Sequence, residues 1–158
     1  MIHHVSLPAR DPVRVAAVLA ELMGGRDYPF PGPLSGARMA VSGDPHGTMI
    51  EVYPDIAVMV PGKAEAPVAY AAAEPPVHVG FHALLSVPHD RDGIARIGSA
   101  AGWRTRWFAR AAPGKPPVFH VMEVWVENRI LLEVVPADMI AGYARYMQIE
   151  RMDAIYAT

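Results

Sequence analysis

The same order of apolar and polar residues occurs twice along the chain. Each copy opens on a strand-like stretch with a histidine, "HVSLPA" from His4 and "HALLSV" from His82. An aspartate that can cap a helix follows, and a glycine, Gly24 or Gly102, stands at the same distance from the histidine. Three further strand-like stretches complete each copy. The repeat therefore predicts an α+β fold of two βαβββ modules.

The repeat also divides the chain. We expect one domain over residues 1–136, with module 1 at about 1–54, an Ala/Pro-rich linker at 55–76 and module 2 at about 77–136. Residues 137–158 are predicted to form a C-terminal amphipathic helix, because Met139, Ile140, Tyr143 and Met147 share one stripe.

Composition limits the classes of partner. The 158 residues are 52% hydrophobic with a formal net charge of -2, which favours a compact protein that binds a small molecule rather than nucleic acid or a membrane. The absence of cysteine excludes disulfides, thiolate ligands and a cysteine nucleophile. Without a signal-like or membrane-spanning stretch, a cytoplasmic location is expected.

Strand alternation selects four candidate metal ligands. Glu51 lies between Ile50 and Val52, and Glu133 lies between Leu132 and Val134, so each carboxylate faces away from the packed side of its strand. A lone strand histidine is usually structural, but both modules place a histidine on the first strand and a glutamate on the last. Two imidazoles and two carboxylates suit a divalent cation such as nickel, cobalt, zinc, manganese or iron(II). The predicted ligands are His4, Glu51, His82 and Glu133, with His78 as second choice for His82.

The substrate pocket depends on the turn within "VENR". A two-residue turn would place His120, Met122 and Val124 on the face of Glu133, whereas a three-residue turn would place Glu123 and Trp125 there. The pocket candidates are Tyr53, His120, Met122 and Trp125. Arg104, Arg106, Arg110 and Lys115 are typical of a solvated face, with binding of an anionic substrate group as the alternative.

The stretches "HHVSLPARDP", "GTMIEVYP", "HALLSV" and "RILLEVVP" resemble the vicinal-oxygen-chelate superfamily, which includes glyoxalases, bleomycin-resistance proteins and extradiol dioxygenases. The resemblance implies that the paired modules form a curved, open mixed sheet around a metal. A His, Glu, His, Glu set is similar to that of bacterial glyoxalase I. One departure is "VENR", which replaces the Asp-Pro-Asp-Gly turn common in that superfamily.

The resemblance also implies a function. The expected activity is that of a metal-dependent lyase or isomerase acting on a small carbonyl substrate through a metal-stabilised enediolate, with Glu133 as the base and Glu51 as the other possible base. A homodimer is expected. Two arrangements of its metal site are possible, one with all four ligands from a single chain and one with ligands from both chains. The alternatives are a small-molecule binding protein without turnover and an iron(II) extradiol-type dioxygenase, in which the position of Glu51 is not a ligand.

Overall fold

A computed structural model describes residues 2–111 and 116–156 of the chain, and Lys115 lies outside them. Module 1 consists of β1 (His4–Ala9), α1 (Pro12–Met23), β2 (Arg26–Pro29), β3 (Arg38–Val41) and β4 (Met49–Pro54). Its strands are ordered β1-β4-β3-β2, with β1 parallel to β4 and the other pairs antiparallel. This is the predicted βαβββ unit.

The predicted linker has a structure of its own. Strands β5 (Ala57–Val60) and β6 (Ala69–Ala72) form an antiparallel hairpin, to which we refer as the linker hairpin. Module 2 follows with β7 (His82–Val87), α2 (Arg91–Ala100), β8 (Arg104–Arg110), β9 (Phe119–Val126) and β10 (Ile130–Pro136). Its order, β7-β10-β9-β8 with β7 parallel to β10, repeats that of module 1.

The C-terminal extension is helical but not continuous. A short turn of 3-10 helix (Ala137–Met139) leads into α3 (Ile140–Tyr146), and a break separates it from α4 (Ile149–Tyr156). Within the described ranges, no helix is long and apolar enough to cross a membrane.

Helix α1 packs on one face of the module 1 sheet, and α2 packs on the corresponding face of the module 2 sheet. The two helices also contact each other. Asp11 accepts a hydrogen bond from the Arg14 amide at the start of α1, and Gly24 ends that helix with a φ of 66°. Buried apolar residues of α1, α2 and both sheets form one continuous core, which includes Leu7, Leu19, Ile97 and Leu132. The helices therefore share one core with the apolar face of each sheet, and the opposite face of each sheet points away from this core. We call these the open faces.

The modules are also joined by polar contacts. The Glu127 carboxylate, in the turn before β10, accepts hydrogen bonds of 2.9 Å from the amides of Arg10 and Asp11 at the start of α1. The Arg14 side chain donates to the carbonyl of Ala101 at 2.6 Å. These contacts hold the two modules in one orientation.

The turn between β9 and β10 has three residues, 127–129, and two of them, Glu127 and Asn128, have positive φ values. Glu123 therefore lies opposite Glu133 and Trp125 opposite Leu131, on the open face. This register corrects the assignment of His120 and Met122 to the pocket. Met122 lies opposite Val134 on the helix side, and the His120 ring stacks on Trp107 with centroids 5.8 Å apart.

Candidate functional site

The open face of module 1 carries a buried carboxylate held by hydroxyl groups. Glu51 is only 7% exposed and lies beside Ser6 across the parallel β1–β4 pair. The hydroxyls of Ser6 and Tyr53 each donate to Glu51 Oε2 at 2.9 Å, and His4 Nε2 lies 3.9 Å from Oε1. The hydroxyl donors occupy one carboxylate oxygen and leave the other turned toward the imidazole.

Two further aromatic rings pack against Tyr53, which is one of the two hydroxyl donors to this carboxylate. Tyr53 packs edge-on against Phe30, with centroids 5.6 Å apart, and lies 5.7 Å from the ring of Tyr70 on the linker hairpin. The Tyr70 hydroxyl donates to the Tyr53 hydroxyl at 3.4 Å. Burial raises the pKa of Tyr53 well above its ordinary value of 10.0, and the contacts with Tyr70 and Glu51 act in the same direction.

The raised pKa of Tyr53 predicts a loss of stability in alkali. The contribution of Tyr53 to the free energy of unfolding is fully present below pH 10.0. It falls as the pH rises above that value, because Tyr53 then loses its proton in the unfolded chain and keeps it in the folded chain. Between about pH 9 and about pH 11, the free energy of unfolding should therefore fall less in the Tyr53→Phe variant than in the wild type. Denaturant unfolding at each pH measures this, with the exposed Tyr156→Phe as control. Equal pH dependence in wild type and Tyr53→Phe would contradict the assignment.

The open face of module 2 carries two carboxylates with a guanidinium between them. Arg110 Nε donates to Glu133 Oε1 at 2.8 Å, and its Nη2 donates to Glu123 Oε1 at 2.8 Å and also to Glu133 Oε1. Burial works against the charge of Arg110, but the hydrogen bonds that it donates to Glu123 and Glu133 outweigh it and raise the pKa of the guanidinium. Trp125 Nε1 donates to Glu123 Oε2 at 3.3 Å and extends the network.

The two histidines considered for module 2 have different surroundings. His82 opens β7 opposite Leu131 and is exposed. His78 precedes that strand, where its ring lies 6.4 Å from Trp125 and its Nδ1 is 3.4 Å from the carbonyl of Arg129. Only His82 therefore has the same place in the sheet as His4.

The strand register shows how closely the modules correspond. In module 1, Met49 lies opposite His4 and Glu51 is two positions further along β4. In module 2, Leu131 lies opposite His82 and Glu133 is two positions further along β10. Each module thus places one histidine and one glutamate at equivalent register positions on its open face.

The four predicted ligands do not converge within one chain. Across the described residues, no group of three or more His, Asp or Glu side chains is placed to hold a metal ion. His4 and His82 line one cavity of about 500 Å³ at the β1 and β7 edges, but neither glutamate lines it. His4 and Glu51 are close enough for one divalent ion to reach both side chains, because 3.9 Å is shorter than the sum of two metal–ligand bonds of about 2.0–2.2 Å each.

Three residues of these clusters were missed or left open by sequence reasoning. Ser6 could have been found, because it shares the strand face of His4. Arg110 was recognised only as one of several surface cations, and its two carboxylate partners require the register of β8 and β9. Tyr70 gave no signal, since it lies in a segment interpreted as a linker.

Known structures share this architecture. FosX, a fosfomycin resistance protein from Listeria monocytogenes, superposes with a TM-score of 0.56 over 92% of this chain and 98% of its own, at 12% identity. FosX from Mesorhizobium loti gives 0.51 over 87% and 91%, at 14% identity. A glyoxylase/bleomycin resistance protein/dioxygenase domain from Frankia sp. EAN1pec gives 0.51 over 86% and 96%, at 16% identity.

The chain has the glyoxalase-like fold. The fold implied by the resemblance to the vicinal-oxygen-chelate superfamily is thereby confirmed. No protein-family model matches the chain, and no curated protein sequence matches it. The Listeria FosX has been solved with Mn(II) and sulfate, and a mutant of it with Mn(II) and 1S,2S-dihydroxypropylphosphonic acid. At these identities the glyoxalase-like fold is what the chain shares with its neighbours.

Proposed function

We propose that this chain is a metal-dependent lyase or isomerase that acts on a small carbonyl compound with a neighbouring oxygen. The observation that carries the proposal is the pair of equivalent His–Glu sets on the open faces of the two modules. The Mn(II)-containing structures of the Listeria FosX support a divalent metal in this fold. Nickel, cobalt, zinc, manganese and iron(II) all remain candidates, because mixed imidazole and carboxylate ligation suits each of them.

The complete site is proposed to form between two copies of the chain. His4 and Glu51 come from one copy, and His82 and Glu133 from the other. The core supports this arrangement, because it lies on the side of each sheet opposite Glu51 and Glu133. Within the described part of one chain, no group of three or more His, Asp or Glu side chains is placed to hold a metal ion. A homodimer would then contain two sites, each built from module 1 of one copy and module 2 of its partner.

The charges of the two half-sites are consistent with a divalent ion. Glu51 contributes one negative charge, while Glu123 and Glu133 contribute two, of which Arg110 balances one. The two remaining negative charges are the number that a dication neutralises. Such an ion would bind the two substrate oxygens and stabilise the negative charge left when a proton is removed.

The residues around the ligands have separate roles in this proposal. Ser6 and Tyr53 orient Glu51 by holding its Oε2, as outer hydrogen-bond partners of a ligand do. Both contacts of Arg110 with Glu133 use Oε1, so Oε2 of Glu133 is the atom that would hold the metal and, once released from it, accept the substrate proton. Arg110 keeps Glu133 in place without occupying that second oxygen.

The same ion pair favours a second candidate. A carboxylate engaged by a guanidinium is less available as a base, which fits a small-molecule binding protein without turnover. The two candidates differ in what Glu133 does, and the substitution Glu133→Gln separates them because it preserves size and removes the base.

Glu133→Gln should reduce proton removal by about 10²–10⁴-fold, the contribution of a positioned general base. NMR would follow the incorporation of solvent deuterium into hydroxyacetone, at the hydroxyl-bearing carbon next to its carbonyl, by the Mn(II)-loaded protein. Glu150→Gln on exposed α4 is the matched control. Exchange that stays at the wild-type rate in Glu133→Gln would contradict the assigned base. Binding of hydroxyacetone without exchange in either protein would favour the second candidate.

A further inference from the structure

A small apolar cavity lies under the linker hairpin. Its volume is about 220 Å³, and its walls come from Ala57, Val58 and Met59 of β5, Tyr70 of β6 and Tyr53 of β4. Val58 and Met59 remain 46% and 48% exposed, so the cavity is reached from the surface. The proposed metal and proton transfer leave this cavity without a role.

The cavity adjoins the buried carboxylate of module 1. Ser6 and Tyr53, which both line it, are the two residues whose hydroxyls donate to Glu51 Oε2. The same two side chains therefore border both the carboxylate and the cavity. The linker hairpin, whose sequence predicts only a connection between the modules, supplies part of the cavity wall.

The lining of the cavity is almost entirely apolar. The Ser6 and Tyr53 hydroxyls are engaged by Glu51, and the Tyr70 hydroxyl donates to Tyr53, so the side chains present mostly carbon to the cavity. An apolar cavity of about 150 Å³ is large enough to hold benzene. A volume of 220 Å³ therefore suits a single ring or a branched alkyl group, and is small for a drug-sized molecule.

We propose that the cavity under the linker hairpin binds a benzene-sized apolar substituent of the substrate. The substrate class becomes an aryl or branched-alkyl compound with two neighbouring oxygens, the oxygens near Glu51 and the apolar group under the hairpin. This proposal rests on the proposed function for the position of the oxygens. The cavity itself depends only on module 1 and the linker hairpin.

Two α-hydroxy acids that differ only in the apolar group test the selectivity. Mandelate carries a phenyl group where lactate carries a methyl group, so calorimetric titration of the Mn(II)-loaded chain should find mandelate at least about tenfold tighter. Ala57→Leu, which fills the cavity, should abolish that preference and leave lactate unchanged. Ala72→Leu, exposed on the same hairpin and outside the cavity, should preserve it. Met59→Ala, as a second variant, should enlarge the cavity and favour a naphthyl analogue over mandelate.

Benzyl alcohol, which lacks the second oxygen, tests the cavity separately from the metal. Ligand-observed NMR on the metal-free chain should detect its binding, which Ala57→Leu should remove and Ala72→Leu should retain. If benzyl alcohol binds in this way but mandelate gains nothing from Mn(II), the cavity proposal stands and the proposed function fails. Absence of benzyl alcohol binding, binding that persists in Ala57→Leu, or equal affinities for mandelate and lactate would overturn the cavity proposal.

Discussion

Replacing Arg129 by Met should lower the free energy of unfolding by about 3–5 kcal/mol, the usual cost of leaving one member of a buried ion pair without its partner. Arg129 Nη1 lies 2.6 Å from Asp55 Oδ2, and each side chain is only 5% exposed. The other terminal nitrogen, Nη2, donates to the carbonyl of Pro76. Asp55 and Pro76 lie at the two ends of the segment that joins the modules, so the substitution would remove the contacts that hold both ends of this segment.

Denaturant unfolding of Arg129→Met beside Arg145→Met measures this effect. Arg145 is exposed on α3, and its substitution should change the free energy of unfolding by no more than about 0.5 kcal/mol. The double variant Arg129→Met/Asp55→Leu should recover much of the loss, because it removes the unpaired carboxylate. A loss below about 1 kcal/mol in Arg129→Met would contradict a structural role for this pair.

The repeat made most of the architecture predictable. Asp11 and Gly24 bound α1 as their residue types predict, and Val5, Leu7, Ile50 and Val52 face the core as their alternation predicts. The alternation of Glu51 and Glu133 with apolar neighbours placed both carboxylates on the open faces. These features depend on local periodicity, which a single sequence displays directly.

Features that depend on register or on distant contacts were not predictable in the same way. The turn within "VENR" could have had two or three residues, and only the register of β9 against β10, with Val126 opposite Ile130, shows that it has three. The linker hairpin is built from short apolar stretches among Ala and Pro, a composition that also fits a flexible connection. The ion pair between Arg110 and Glu133 joins residues far apart in the chain.

The metal site is proposed to be shared between two copies of the chain. Metal analysis of mixed dimers tests it most directly. Chains carrying His4→Ala and His82→Ala, each with a different affinity tag, would be produced together and purified through both tags. In the mixed dimer, one site would carry both substitutions and the other would carry neither.

We expect about two ions per wild-type or His78→Ala dimer and substantially fewer in either single-variant homodimer, because metal binding depends on the full ligand set. The mixed dimer should regain about one ion, held by the intact pair of modules. A mixed dimer as depleted as its parent variants, or a wild-type protein that takes up no divalent metal, would contradict the shared site.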